Sequence, residues 1–263
     1  MASLKLTTPV AVLIGSVIIA LAILVSNGVI TLKKDKVAGA TTNTPQNTQE
    51  PQQTQVTLDQ IKDVFGKSVI KFGDTSKKLI IIEAADPSCP YCQIAAGKNP
   101  ELNKQAGSRF TLVSDGGSYM APVPEIQRLV TEGKAAFAYI YTNGHGGGEM
   151  GTKAMYCAFE NNKFWEVHNL LMTSKGYDLL NNTVKNDKTK SGEMATFLQS
   201  VIDPNLIKQC LDSGKYDAKL NEEQALAGSI GISGTPGFYF NTTLFKGAYS
   251  YTEMESAVNS VLK

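Results

Sequence analysis

Two cysteines separated by two residues, Cys89-Pro90-Tyr91-Cys92, are the strongest chemical signal in this chain. They follow a continuous apolar run, Leu79-Ile80-Ile81-Ile82-Glu83-Ala84, and open a stretch of helical character. Such a run suits a strand covered on both faces. A cysteine on the first turn of the next helix meets unpaired backbone N–H groups and the positive end of the helix dipole. That setting lowers a thiol pKa from about 8.5 to between about 3.5 and 7.5. Cys89 is therefore expected to be the exposed, attacking sulfur, and Cys92 the more buried, resolving one. Pro90 suits the first helical position, where its missing N–H is not needed. The chemistry predicted is thiol–disulfide exchange. Two other uses of the spacing stand beside it. Half of a zinc site needs two further ligands, and the remaining cysteines, Cys157 and Cys210, form no second pair. A purely structural bond across so tight a loop gains little from chain entropy.

Glu83 lies six residues before Cys89, inside the apolar run. A buried carboxylate is costly without a partner or a task. One reading makes it a proton relay for Cys92, which must lose a proton to resolve a mixed disulfide. The other pairs it with a lysine at the strand end. Thr235-Pro236, read alone, is a turn before a strand. Gly144-His145-Gly146-Gly147-Gly148 lacks the Gly-Lys-Ser/Thr ending of a phosphate loop. It reads as a mobile connection near the active face, with His145 solvated.

The elements that must position these residues occupy the last four-fifths of the chain. Leu58, Ile61, Val64 and Phe65 fall at helical spacing. Arg109 to Val113 reads as a short extra strand, Pro124 to Glu132 as a helix and Ala135 to Thr142 as a strand. Pro100 is expected to kink or end the helix that starts at the cysteine pair. Residues from about 150 to 229 have helical periodicity, broken by a polar loop from Asn181 to Lys190. Gly234 to Asn241 and Leu244 to Tyr249 read as a hairpin, and Thr252 to Leu262 as a last helix. Strands at both ends of a helical block predict an α/β domain with a helical insertion.

Before that domain (residues 58–263) come two other segments. Residues 1–36 hold an apolar run from Pro9 to Leu32 without a charge. About 20 apolar residues cross a bilayer as a helix, whereas the apolar part of a cleaved signal peptide is about 7–15 residues long. The length favours an uncleaved anchor, although Ala38-Gly39-Ala40 resembles a cleavage site. Lys33, Lys34 and Lys36 against Lys5 would place the C-terminal side in the cytoplasm. The cysteine chemistry argues for the opposite side, and long domains translocate largely regardless of charge. Residues 37–57, rich in Thr, Gln, Asn and Pro, read as a flexible linker, too short for a separate dimerisation domain. The formal net charge of +1 leaves no basic footprint for nucleic acid.

The runs Ile70-Lys71-Phe72-Gly73-Asp74 and Ile80-Ile81-Ile82-Glu83, with Asp86 ahead of Cys89-Pro90-Tyr91-Cys92, resemble the DsbA-like family of thioredoxin-fold oxidoreductases. So do Gly234-Thr235-Pro236, Cys157-Ala158 followed by Lys163-Phe164-Trp165-Glu166 and His168, and Cys210 through Tyr216. The resemblance spans most of residues 58–263 and departs from the family between Gly97 and Val123, where the chain is longer. It implies a thioredoxin fold with a helical insertion, and catalytic roles for Cys89, Cys92, Glu83, Thr235 and Pro236. It also implies a cis bond before Pro236, next to the cysteine pair, and a structural disulfide between Cys157 and Cys210. Two buried free thiols are the alternative for that last pair. Neither a cofactor nor a metal is expected. The implied activity is oxidation of reduced client proteins by a monomer held at the outer face of the cell membrane, reoxidised by a quinone-linked membrane partner. A reductase or isomerase, a redox chaperone for one client, and a non-enzymatic binding module on the same fold are the rivals.

Overall fold

The computed structural model describes residues 55–263. The expected anchor, and the expected linker up to residue 54, lie outside the described residues. Among the described residues no helix is long and apolar enough to cross a membrane.

The first helix, α1 (Leu58–Lys67), starts where Thr57 and Gln60 form a reciprocal capping box and buries Ile61, Val64 and Phe65. Five strands follow in one sheet: β1 (Ile70–Phe72), β2 (Leu79–Ala85), β3 (Ala135–Tyr141), β4 (Gly237–Phe240) and β5 (Thr243–Lys246), in the spatial order β1-β3-β2-β4-β5. The central pair, β2 and β3, is parallel; the other pairs are antiparallel. Both central strands are buried along their whole length, as their unbroken apolar runs require.

The two-residue period of β2 divides the core. Ile80, Ile82 and Ala84 face a smaller cluster with Ile61, Phe65, Ala227 and Ile232. Leu79, Ile81 and Ala85 face the larger cluster, which contains both Cys89 and Cys92. Glu83 shares that second parity, and its direct neighbours across the sheet are Tyr139 and Phe238.

Between β2 and β3 lie α2 (Pro90–Ala96), α3 (Pro100–Gln105) and α4 (Pro122–Thr131). Between β3 and β4 lie α5 (Glu149–Phe159), α6 (Phe164–Leu171), α7 (Ser174–Asp178), α8 (Ser191–Leu198), α9 (Pro204–Asp212) and α10 (Asp217–Ser229). The last helix, α11 (Tyr251–Leu262), opens on a second capping box, Ser250 with Glu253.

Three local expectations are corrected. Pro100 does not interrupt the active-site helix; it is the first residue of α3, after Gly97 has ended α2 in a left-handed conformation. Arg109 to Val113 is not a strand. Two single 3-10 turns, Ser108–Phe110 and Val113–Asp115, occupy it, with one isolated bridge from Leu112 to Tyr119. The polar stretch Asn181–Lys190 carries helical turns at Leu179–Val184 and Lys188–Lys190 rather than open loop.

Candidate active site

β2 ends at Ala85, and four residues later Cys89 caps α2 in an extended conformation, with Pro90 at the first helical position. Both cysteines are free thiols. Cys92 is buried, and its sulfur accepts the Asp86 backbone N–H at 3.5 Å. Cys89 was expected to be exposed, and it is not: only 4% of its surface is accessible. The reason is the loop before β4. The Thr235–Pro236 peptide bond is cis, and the Thr235 carbonyl lies 3.7 Å from the Cys89 sulfur.

The two sulfurs differ sharply in acidity. Cys89 is lowered from 9.0 to about 6, first by a hydrogen bond from the Cys92 thiol. Burial opposes this, while the Thr235 side chain and the backbone N–H groups of Cys92 and Tyr91 assist. The helix-end amides that sequence reasoning put first thus come behind the partner thiol. Cys92 is held well above 9.0, chiefly by burial and then by its bond to Cys89 and the neighbouring charge. One sulfur is primed as a nucleophile and the other as its proton-holding partner.

Glu83 has both carboxylate oxygens buried with no hydrogen-bond partner in the structure. Burial raises its pKa from 4.5 to about 8. The lysine pairing considered for it is absent among the described residues, and its charge is felt at Cys92.

Sequence reasoning missed the role of Asp86 and of the glycine run. Asp86 Oδ1 accepts from the Ser88 N–H and hydroxyl at 2.8 and 2.6 Å, and Oδ2 accepts from the Gly144 and His145 N–H groups, both at 2.9 Å. The Ser88 hydroxyl in turn accepts from Gly147 N–H at 3.1 Å. The run is therefore a pinned segment, not the mobile connection expected. A Cβ on Gly148 would stand 1.8 Å from Asp86 Oδ1, and one on Gly144 1.8 Å from Thr235 Oγ1. Only glycine permits that approach. Asp86 three residues before a cysteine, with a distant glycine run, was the available signal, but nothing in the sequence pairs them.

Tyr91 is half exposed and packs edge-on against Phe110, which packs on Tyr119. Residues 97–121 thus form a wall beside the cysteine pair. Tyr119 O–H donates to the Tyr249 carbonyl, and the Met120 N–H to Ser250 Oγ, tying that wall to the start of α11. Away from the site, Cys157 on α5 and Cys210 on α9 are joined by a disulfide across 53 residues. Phe164 and Trp165 pack with Phe72, Phe137 and Tyr139. Among the described residues no group of three or more His, Cys, Asp or Glu side chains is placed to hold a metal ion.

A family model described as thioredoxin matches residues 124–260, from α4 through most of the last helix. The match includes Thr235 and Pro236 and begins beyond Cys92. No curated protein sequence matches the chain. Among solved structures, BdbD from Bacillus subtilis is similar at 18% identity and a TM-score of 0.54, over 75% of this chain and 94% of that one. The thiol-disulfide exchange protein alpha-DsbA2 from Wolbachia pipientis is similar at 15% identity and 0.51, over 77% and 92%. DsbA from Chlamydia trachomatis is similar at 16% identity and 0.51, over 72% and 88%. At these identities the likeness is one of fold.

Proposed function

From the premise that this chain belongs to the thioredoxin family, we propose that it is a thiol-disulfide oxidoreductase that oxidises client dithiols through Cys89 and Cys92. The observation that carries the proposal is Cys89 itself: a sulfur at a helix start, with the carbonyl of Thr235, the residue before cis-Pro236, against it, that ionises near pH 6. In the oxidised enzyme a client thiolate attacks Cys89 and displaces the Cys92 thiolate, which takes up a proton. A second client thiolate then attacks the client sulfur of the mixed disulfide. The client leaves oxidised, and Cys89 leaves as a thiolate. The more stable that thiolate, the stronger the oxidant. Glu83, neutral below about pH 8 and near enough for its charge to act on Cys92, passes the proton that Cys92 gains or loses.

The seclusion of Cys89 adds a condition. An extended client must lie along the Thr235 carbonyl and reach a sulfur that is nearly covered, so the enzyme acts on flexible segments rather than on folded surfaces. The Cys157–Cys210 bond supports an oxidising compartment, and the uncharged run Pro9–Leu32 supports a single-pass membrane anchor with the catalytic domain outside the cytoplasm. In that setting a quinone-linked membrane protein restores the Cys89–Cys92 disulfide, and the enzyme works as a monomer without a cofactor.

The reduction potential of the protein tests the direction. A value near about −120 mV is expected of an oxidase, and one near about −270 mV would make the protein a reductase. Paired assays, reoxidation of reduced ribonuclease against reduction of insulin, report the same choice in rates. Failure in both would leave a binding module.

A further inference from the structure

Asp86 is fully buried, and the groups that donate to its carboxylate are all neutral, yet the exchange steps do not use that carboxylate. Its four donors come from two separate segments. Ser88, next to Cys89, supplies two, and Gly144 and His145, just beyond β3, supply the others. The second segment leads back to the sulfur. Gly144 is pressed so closely on Thr235 that any side chain would collide with the Thr235 hydroxyl. That hydroxyl is buried and has no hydrogen-bond partner while Cys89 is a thiol, and the Thr235 carbonyl touches the Cys89 sulfur.

We propose that Asp86 is a positioning residue: by gripping Gly144 and His145 it backs the glycine segment against Thr235 and so fixes Thr235 over the attacking sulfur. The inference rests on the exchange reading above, because the reactivity it adjusts is that of Cys89. Charge and position act in opposite directions here. A negative carboxylate near the cysteine pair disfavours a thiolate through space. A Thr235 hydroxyl held in place favours one, because a buried donor without a partner gains an ionised acceptor. The titratable groups facing Cys89 are Cys92 on its own helix and Tyr177 on α7, and neither is altered by the variants below.

The full chain carrying Asp86→Asn tests this. The amide keeps the volume but offers one acceptor oxygen to four donors. The thiolate absorbance of the reduced protein is followed against pH; its first step reports Cys89, since Cys92 ionises far higher. The midpoint is expected to rise, leaving roughly tenfold less thiolate at a given acidic pH. A midpoint that stays or falls overturns the proposal, a fall being what loss of a nearby negative charge alone produces. In a Thr235→Val background only the through-space charge effect is left, so the same Asp86→Asn change is expected to lower the midpoint or leave it in place; an equal rise in both backgrounds overturns the route through Thr235. Should Asp86→Asn not fold, amide hydrogen exchange of the wild type decides. The Gly144 and His145 N–H groups are expected to be protected, and rapid exchange at both refutes the grip. A wild type whose Cys89 titrates like a free thiol and exchanges no disulfides removes the oxidoreductase reading itself. A wild type that exchanges normally beside an unresponsive Asp86→Asn removes only this inference.

Discussion

Replacing Glu83 by Gln removes the one ionisable group that β2 carries into the core, and the burial of that group sets the direction of the result. Glu83 is almost wholly buried, and neither oxygen has a partner. Burial raises its folded pKa from 4.5 to about 8. Below about pH 4.5 the carboxyl is neutral in both the folded and unfolded chain and has no pH-linked effect. Between about 4.5 and 8 the unfolded chain releases the proton while the folded one keeps it, so stability falls as pH rises. At about 1.4 kcal/mol for each pH unit in that window, the loss is about 3 kcal/mol at pH 7 and about 5 kcal/mol above pH 9. Glutamine has nearly the same shape and never ionises. Glu83→Gln should therefore be more stable by about 3 kcal/mol at pH 7 and indistinguishable from wild type near pH 4. Urea unfolding at several pH values, with the cysteine pair kept reduced, measures this directly. The proton relay predicts the opposite effect on chemistry: resolution of a mixed disulfide at Cys89 slows in the same variant. A Glu83→Gln protein that is less stable at pH 7, or whose advantage does not change with pH, would refute the reasoning. The first result would mean that the carboxylate is ionised and paired in solution, the second that its pKa is the same in the folded and the unfolded chain.

Two further outcomes follow from the same geometry. Cys92→Ala removes the resolving sulfur but leaves Cys89 with its Thr235 contact, so with clients that carry a disulfide it should accumulate mixed disulfides, Cys89 attacking one client sulfur and the other leaving as a thiolate, whereas Cys89→Ala should trap none; gels run without reductant distinguish them. Replacing both Cys157 and Cys210 by Ser opens a loop of 53 residues and should cost about 4 kcal/mol of stability on the chain-entropy account. Disulfide exchange by the folded variant should persist, because the two cysteines sit on α5 and α9 and are bonded to each other, not to the active pair.

What could be read from the sequence depended on how local its cause was. The apolar run Leu79–Ala84 announces a central strand because no other element buries both faces over so few residues. Cys89 and Pro90 announce a helix start because each suits one position there. The succession of helices between β3 and β4 shows in its periodicity. The wall from residue 97 to 121 did not: its turns close on their own backbone, but what sets the segment against the rest of the fold is distant in the chain, Tyr249 and Ser250. The seclusion of Cys89 was invisible for the same reason: Thr235, 146 residues away, covers it. Asp86 and the glycine run are each plain in the sequence, but their meeting is a product of the fold. Glu223 is a similar case. From α10 it accepts the Val69 and Tyr141 N–H groups and the Tyr156 hydroxyl, stitching the edge of the sheet to two helices, and nothing in its neighbourhood along the chain marks it.

The account depends on Cys89 being an anion under conditions where an ordinary thiol is not. A pH titration of thiolate absorbance in the reduced wild-type chain measures that without any client or partner. A first midpoint near 6, with Cys92 silent through neutral pH, is the predicted result. A single midpoint for both sulfurs close to that of a free thiol, about 8.5, would contradict it.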